Sequence, residues 1–196
     1  MMKEKNHSEI SIFTDKILQI LYAPLHYVHH SYLNEFKHNK EFCDELINFW
    51  IIQRHRLSDL PEDFIFHDRD DVALLFVNNW LLIPTIALLI GSFLNKKYLR
   101  KDFRIVGTLG IRCQLFTSLP LQCQVKYIET YHHDDVVAMG IAFLLGLGDN
   151  IPLAFRQRFF LLFSENIILP ELNVLKTPDN FNLLKMATMY AKNKLC

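Results

Sequence analysis

The chain has 196 residues, 51% of them hydrophobic, and its 21 basic side chains balance 21 acidic ones. Nucleic-acid binders depend on a basic excess to neutralise phosphates, so this balance argues against nucleic acid as the main partner. The four cysteines lack zinc-finger spacing, and no cleavable signal sequence is predicted at the polar start, so we expect free thiols in a reducing cytoplasm.

The N-terminal third is predicted to be helical. An amphipathic helix is predicted over 11–22, ending before Pro24, because apolar residues recur at helical spacing. A second helix is predicted over 41–56, with Asn48 among its outward-facing residues. We expect the core-facing side of this second helix to consist of Phe42, Leu46, Phe49 and Trp50. An acidic loop is predicted over 58–71.

A long apolar run, 72–94, carries no charged residue. Its length suffices to span a bilayer, so membrane association is one interpretation. Pro84 interrupts helical hydrogen bonding and Asn78 and Asn79 add polar amides, which favours one or two buried core helices divided near Pro84. A second apolar segment, 136–147, is too short to span and is predicted to pack in the same soluble core.

The remaining segments complete a helical pattern. Gly107 and Gly110 are interpreted as marking a close helix crossing, and 121–131 is predicted to be either a short helix or a strand. Further helices are predicted over 97–119, 152–163 and 179–194. We therefore predict an all-α fold: an irregular single-domain multi-helix bundle, 1–196, around two apolar central helices. An N-terminal helical lobe is expected at 10–56 and the core at 69–194.

A metal site is one interpretation of the histidine and aspartate pairs. His67-Asp68 and His132–Asp135 contain the His-Asp dipeptide of HD-type phosphohydrolases, and imidazole and carboxylate suit Zn, Mn or Fe. His26 and His30 would add ligands if they lie one helical turn apart. We favour the alternative that Asp134-Asp135 caps the following helix, since carboxylates stabilise helix N-termini. The chain has no nucleophile elbow or phosphate loop, so no cofactor and no catalysis are predicted.

One stretch combines aromatic and basic residues, the types enriched at protein interfaces. We interpret it as a candidate partner surface, the alternative being an ordinary solvated helix face. The candidate residues are Phe155, Arg156, Arg158 and Phe159.

Two motifs carry a family resemblance. The first, within 21–33, has an aromatic, a proline, a second aromatic and a closing leucine: Tyr22, Pro24, Tyr27 and Leu33. The second, within 76–84, places Phe76, Asn79, Trp80, Leu82 and Pro84 at fixed offsets inside the apolar run. Over roughly 22–92 the chain resembles the OrgA/MxiK (SctK-type) accessory subunits of type III secretion systems.

The resemblance implies a cytoplasmic, non-enzymatic adaptor of the secretion sorting platform, peripheral at the inner-membrane face. Such a subunit links the cytoplasmic domain of the inner-membrane ring protein (SctD-type) to the pod protein (SctQ-type), and through it to the ATPase and its stator. It uses no cofactor and binds no nucleic acid or small-molecule substrate. We interpret Trp80 as core, Pro84 as a kink and Asn79 as the donor to the carbonyl freed there, with direct partner contact as the alternative.

Overall fold

The computed structural model describes residues 13–36, 42–62, 64, 66, 71–99, 103–127, 136–148 and 150–193. This part of the chain is helical apart from loops and one two-stranded sheet, which confirms the predicted all-α class. The α-helices are α1 (13–22), α2 (Asp44–Arg54), α3 (Asp71–Asn78), α4 (Ile83–Leu94), α5 (Lys96–Leu99), α6 (Phe103–Thr117), α7 (Val136–Leu147), α8 (Leu153–Phe160) and α9 (Pro178–Lys192). Short 3₁₀ helices cover Pro24–His26, His30–Phe36 and Trp80–Leu82, and the strands are β1 (Val125–Tyr127) and β2 (Leu172–Val174).

Contacts divide the chain into two compact units. Unit 1 comprises Met1–Leu81 with Asn150–Asn166, and unit 2 comprises Leu82–Asp149 with Ile167–Cys196. The described residues of the predicted lobe, 10–56, all belong to unit 1. Unit 1 also contains α3 and α8, so it is larger than the lobe that helical periodicity delimited.

Aromatic rings form much of the core of unit 1. The rings of Phe76 and Phe159 stack with centroids 5.6 Å apart, which joins α3 to α8. A smaller apolar cluster of Val28, Ile51 and Leu161 joins the N-terminal segment to α2. Offset and edge-on ring pairs of this kind add stability beyond the area they bury.

The two apolar central helices pack against each other in unit 2. α7 has the bounds predicted for it, and the side chains facing α4 and α9 are buried. The α4–α7 crossing depends on two glycines: a Cβ on Gly91 would overlap the carbonyl oxygen of Val136, and one on Gly140 would overlap that of Ala87. The backbones therefore approach more closely than any side chain would allow.

The predicted crossing glycine has another role. Gly110 lies inside α6 with a φ of 74°, and nothing lies within 4 Å of the position its Cβ would occupy. Its absence of a side chain permits a left-handed backbone kink rather than a close approach. The interpretation of Gly110 as a helix crossing was therefore wrong.

The long apolar run divides earlier than predicted. α3 ends at Asn78, whereas Pro84 stands in the first turn of α4, where its missing N–H would have no intrahelical partner anyway. Pro84 thus begins a helix instead of kinking one. Among the described residues no single helix is long and apolar enough to cross a membrane; α3 and the segment 80–94 meet that test only as a pair interrupted by a bend.

The start of α9 is tied to the small sheet. β1 and β2 pair antiparallel, with Val125 opposite Val174, so the described part of 121–131 contains a strand and no helix. Buried Asn180 accepts a hydrogen bond from the Gln124 backbone N–H at 2.9 Å and donates to the Gln124 carbonyl at 2.8 Å. It also donates to the carbonyl of Leu175 at 2.7 Å. One amide side chain thereby satisfies backbone groups next to both strands at one end of the sheet.

Candidate interaction surface

The family motif residues of unit 1 lie mainly in its core. The Trp80 side chain is only 5% exposed, and its ring meets Tyr27 edge-on at 5.7 Å and Phe155 at 6.3 Å. The Tyr27 hydroxyl donates to the carbonyl of Ile20 at 2.6 Å, and burial raises the pKa of Tyr27. Pro24 is buried and Leu33 half-buried, whereas Tyr22 is exposed.

Asn79 closes the C-terminal end of α3. Its side-chain amide donates to the carbonyl of Leu75, one helical turn earlier, at 2.7 Å. This carbonyl belongs to the last turn of α3, where acceptors lack intrahelical donors. As predicted, the Asn79 side chain donates a hydrogen bond to a backbone carbonyl. That carbonyl, however, belongs to Leu75 and is not one that Pro84 leaves without a donor. The remaining motif residues, Leu82 and Pro84, are half-buried in unit 2.

The predicted partner surface on α8 requires correction. Phe155, Arg158 and Phe159 are buried, and only Arg156 is exposed. The reason is that α8 packs its aromatic side into the core of unit 1, so these three side chains are not accessible to a partner. A contact role for exposed Arg156 stays a prediction.

Arg158 is a buried cation held by backbone carbonyls. Its guanidinium donates to the carbonyls of Leu21 at 3.0 Å, Ser58 at 2.7 Å and Ala154 at 3.0 Å. Burial lowers the pKa of Arg158, and the neighbouring Tyr27 and Asp59 partly oppose that shift. The side chain joins the end of α1, the segment after α2 and α8, because its donors fan out in one plane. Sequence pattern missed this role, since the acceptors lie far away along the chain.

An exposed apolar surface lies on α2. The grouping of Phe42, Leu46, Phe49 and Trp50 was predicted, but these side chains face solvent, with Phe49 57% and Trp50 49% exposed. The opposite side packs instead: Ile51 is buried, and the Asn48 side-chain oxygen accepts a hydrogen bond from the Leu25 backbone N–H at 2.8 Å. The prediction that Asn48 faces outward was therefore wrong. We call Phe42, Leu46, Phe49 and Trp50 the α2 aromatic surface.

A cavity of about 130 Å³ opens beside this surface. The 3₁₀ helix His30–Phe36 supplies one wall, and its Phe36 ring stands edge-on to Trp50 with centroids 5.8 Å apart. An ion pair between Arg54 and Glu35 ties this wall to α2. The cavity is lined by Glu35, Phe36, Phe42, Leu46, Ile47 and Trp50. Glu35 and Phe36 were not recognised in the sequence, because the segment preceding α2 carries no pattern that pairs it with the helix.

The metal interpretation gains no support from the described residues. No group of three or more His, Cys, Asp or Glu among them could hold a metal ion. His26 ends one 3₁₀ helix and His30 begins another, so they are not successive turns of one helix. The pairs His67-Asp68 and His132–Asp135 lie outside the described residues.

Comparison with known proteins gives two matches. The family model described as "Bacterial type III secretion apparatus protein (OrgA_MxiK)" matches residues 17–193. The chain is also similar to YgeO, an uncharacterized protein of Escherichia coli (strain K12): the identity is 32% over an alignment of 124 residues, and the match covers 59% of this chain and 82% of YgeO. No solved structure is significantly similar.

Proposed function

Because this chain belongs to the OrgA/MxiK family of bacterial type III secretion apparatus proteins, we propose that it is a non-enzymatic adaptor of the secretion machinery. It links the cytoplasmic domain of the inner-membrane ring protein to the pod protein of the sorting platform, and through the pod to the ATPase and its stator. It acts on the cytoplasmic side, peripheral at the inner membrane.

The observation that carries this proposal is the family match, which extends over residues from both compact units. A linking role requires at least one surface that is fixed in shape and open to a partner. The α2 aromatic surface supports the proposal in this respect, since large apolar side chains clustered in solvent are typical of protein contacts. The motif residues Phe76 and Trp80 then maintain the fold of unit 1 and need not touch a partner.

Affinity purification of the tagged chain from its native cells tests the proposal, with partners identified by mass spectrometry and metal content assayed on the same sample. We expect the pod protein and the ring protein to be recovered together, without stoichiometric metal. Recovery of the chain alone, carrying a stoichiometric transition metal, would contradict the adaptor role and direct attention to His132–Asp135.

A further inference from the structure

We propose that the α2 aromatic surface is the docking site for an amphipathic helix of a protein partner. One bulky apolar side chain of that helix enters the cavity beside Trp50, and basic residues of the helix face Asp44 and Glu45. This inference rests on the proposed function, because it assigns to a particular surface one of the contacts that an adaptor must make.

The size of the cavity sets the kind of group it accepts. At about 130 Å³ it is close to the engineered apolar cavity of about 150 Å³ that binds benzene, so a single leucine or aromatic side chain fits. Phe49 lies outside the cavity and extends the apolar surface along α2. A cavity for one side chain next to an apolar ridge is the arrangement with which grooves bind amphipathic helices.

Charge at one end of α2 indicates the polar part of the partner. Asp44 and Glu45 are exposed at the start of the helix, and neither forms an ion pair with a basic side chain among the described residues. Hydrogen bonds from the Glu45 backbone and the Cys43 side chain lower the pKa of Glu45, which keeps it ionised. At the other end Arg54 is already paired with Glu35. Among the described residues, the charge left unpaired beside the surface is therefore acidic, and a basic partner complements it.

The surface is held in place before any partner binds. Ile51 lies in the apolar cluster of unit 1, and Asn48 is hydrogen-bonded to the backbone of Leu25. The edge-on contact between Phe36 and Trp50 fixes a wall of the cavity. Preorganised side chains lose less conformational entropy on association, so a small contact can still bind well.

A second copy of the chain fits this surface less well than a partner helix does. Stable dimers bury roughly 800 Å² per protomer, whereas α2 has 11 residues, a length of about 16 Å. Its exposed apolar side chains together provide on the order of half that area. The acidic end also meets no free basic end in a second α2, since Arg54 is already paired with Glu35.

The test co-expresses the full chain with the pod protein and, separately, with the cytoplasmic domain of the ring protein of the same system. Phe49→Ala/Trp50→Ala is compared with the wild-type chain and with Leu81→Ala, which removes an even more exposed apolar side chain elsewhere in unit 1. We expect the double variant to bind one of the two partners at least tenfold more weakly, as loss of buried aromatic contacts does. Leu81→Ala should bind like the wild-type chain.

A second variant, Asp44→Asn/Glu45→Gln, removes the two acidic charges and so measures their contribution to partner binding separately from that of the aromatic side chains. We expect it to weaken the same interaction and to reduce its dependence on salt concentration, since ion pairs across an interface are screened.

The outcomes distinguish the inference from the proposed function. If the wild-type chain binds neither protein, the proposed function fails. If the wild-type chain binds and Phe49→Ala/Trp50→Ala binds equally well, the docking assignment fails while the function stands. Measuring the molecular mass by light scattering tests whether a second copy of the chain occupies the surface instead. A dimeric wild-type chain together with a monomeric double variant would show that it does, and would overturn the assignment.

Discussion

At the scale of single residues, the two tryptophans of the chain have opposite surroundings. Trp80 lies among the rings of Tyr27 and Phe155 in the core of unit 1. Trp50 contacts Phe36 on one side and solvent on the other. The first residue is expected to contribute to folding and the second to binding.

Replacement of Trp80 by alanine therefore tests the structural role of the family motif. We expect Trp80→Ala to lower the free energy of unfolding by about 3–5 kcal/mol, because it removes buried area and leaves a cavity. The matched change Trp50→Ala should cost about 1 kcal/mol or less, since half of that side chain is already in water. Urea denaturation followed by circular dichroism measures both, and equal losses would contradict the assigned roles.

Arg158 provides a second contrast between neighbouring residues of one kind. Arg158→Met leaves the carbonyls of Leu21 and Ser58 without their donor. Although removal of a buried charge recovers some desolvation energy, unsatisfied buried acceptors cost more. We expect a loss of about 2–4 kcal/mol in the free energy of unfolding.

The control for this prediction is Arg156→Met, which changes an exposed arginine on the same helix. It should shift the free energy of unfolding by no more than about 0.5 kcal/mol. If Arg158→Met is as stable as this control, the hydrogen bonds from Arg158 to the carbonyls contribute nothing to the stability of the fold. The fold would then merely tolerate the buried guanidinium.

At the scale of elements, the pairing of α4 with α7 depends on the absence of two side chains. Gly91 faces the backbone of Val136 and Gly140 faces that of Ala87. A methyl group at either position must push the helices apart. The atom it would overlap is a backbone carbonyl oxygen, which cannot rotate away as a side chain can.

We expect Gly91→Ala and Gly140→Ala each to destabilise unit 2 by about 1–3 kcal/mol, as overpacked cores do. The double variant should lose less than the sum of the two, because the first methyl group already separates the helices for the second. Thermal unfolding of the three variants measures this, and strictly additive losses would contradict a shared crossing.

The helices also show which features of the fold can be predicted from the sequence pattern. The bounds of α7 were predictable because polar residues border its apolar run, and the pair Pro178-Asp179 indicated the start of α9. Periodicity in α2 correctly grouped Leu46, Phe49 and Trp50, but grouping does not say which side of a helix packs. α2 carries apolar residues on both sides, and only contacts with distant segments decide that Ile51 is the buried one.

Other features could not be predicted for the same physical reason. The burial of Arg158 requires acceptors from residues distant along the chain, Leu21 and Ser58, so its own surroundings in sequence suggest a surface helix. Pro84 indicated a break in the apolar run, but a proline, with its fixed φ and no N–H, disrupts a helix interior and yet suits the first turn of a helix. The family resemblance rested on two motifs within 21–33 and 76–84 and is confirmed by a match over 17–193.

At the scale of the whole molecule, the family match joins residues of two compact units in one secretion apparatus protein. Unit 1 contains the buried motif residues and the α2 aromatic surface, and unit 2 contains the α4–α7 crossing. We propose that a chain of this kind serves as a physical link, in which each partner binds a surface that the core keeps in shape. Its activity then consists of holding two proteins together.

A bridging assay with purified proteins tests that role most directly. The cytoplasmic domain of the ring protein is immobilised, the pod protein is added with or without this chain, and retained pod protein is quantified. We expect the pod protein to be retained only when the chain is present, in proportion to the amount of chain bound. Retention of the pod protein without the chain, or a chain that binds the ring domain yet retains no pod protein, would contradict the proposed link.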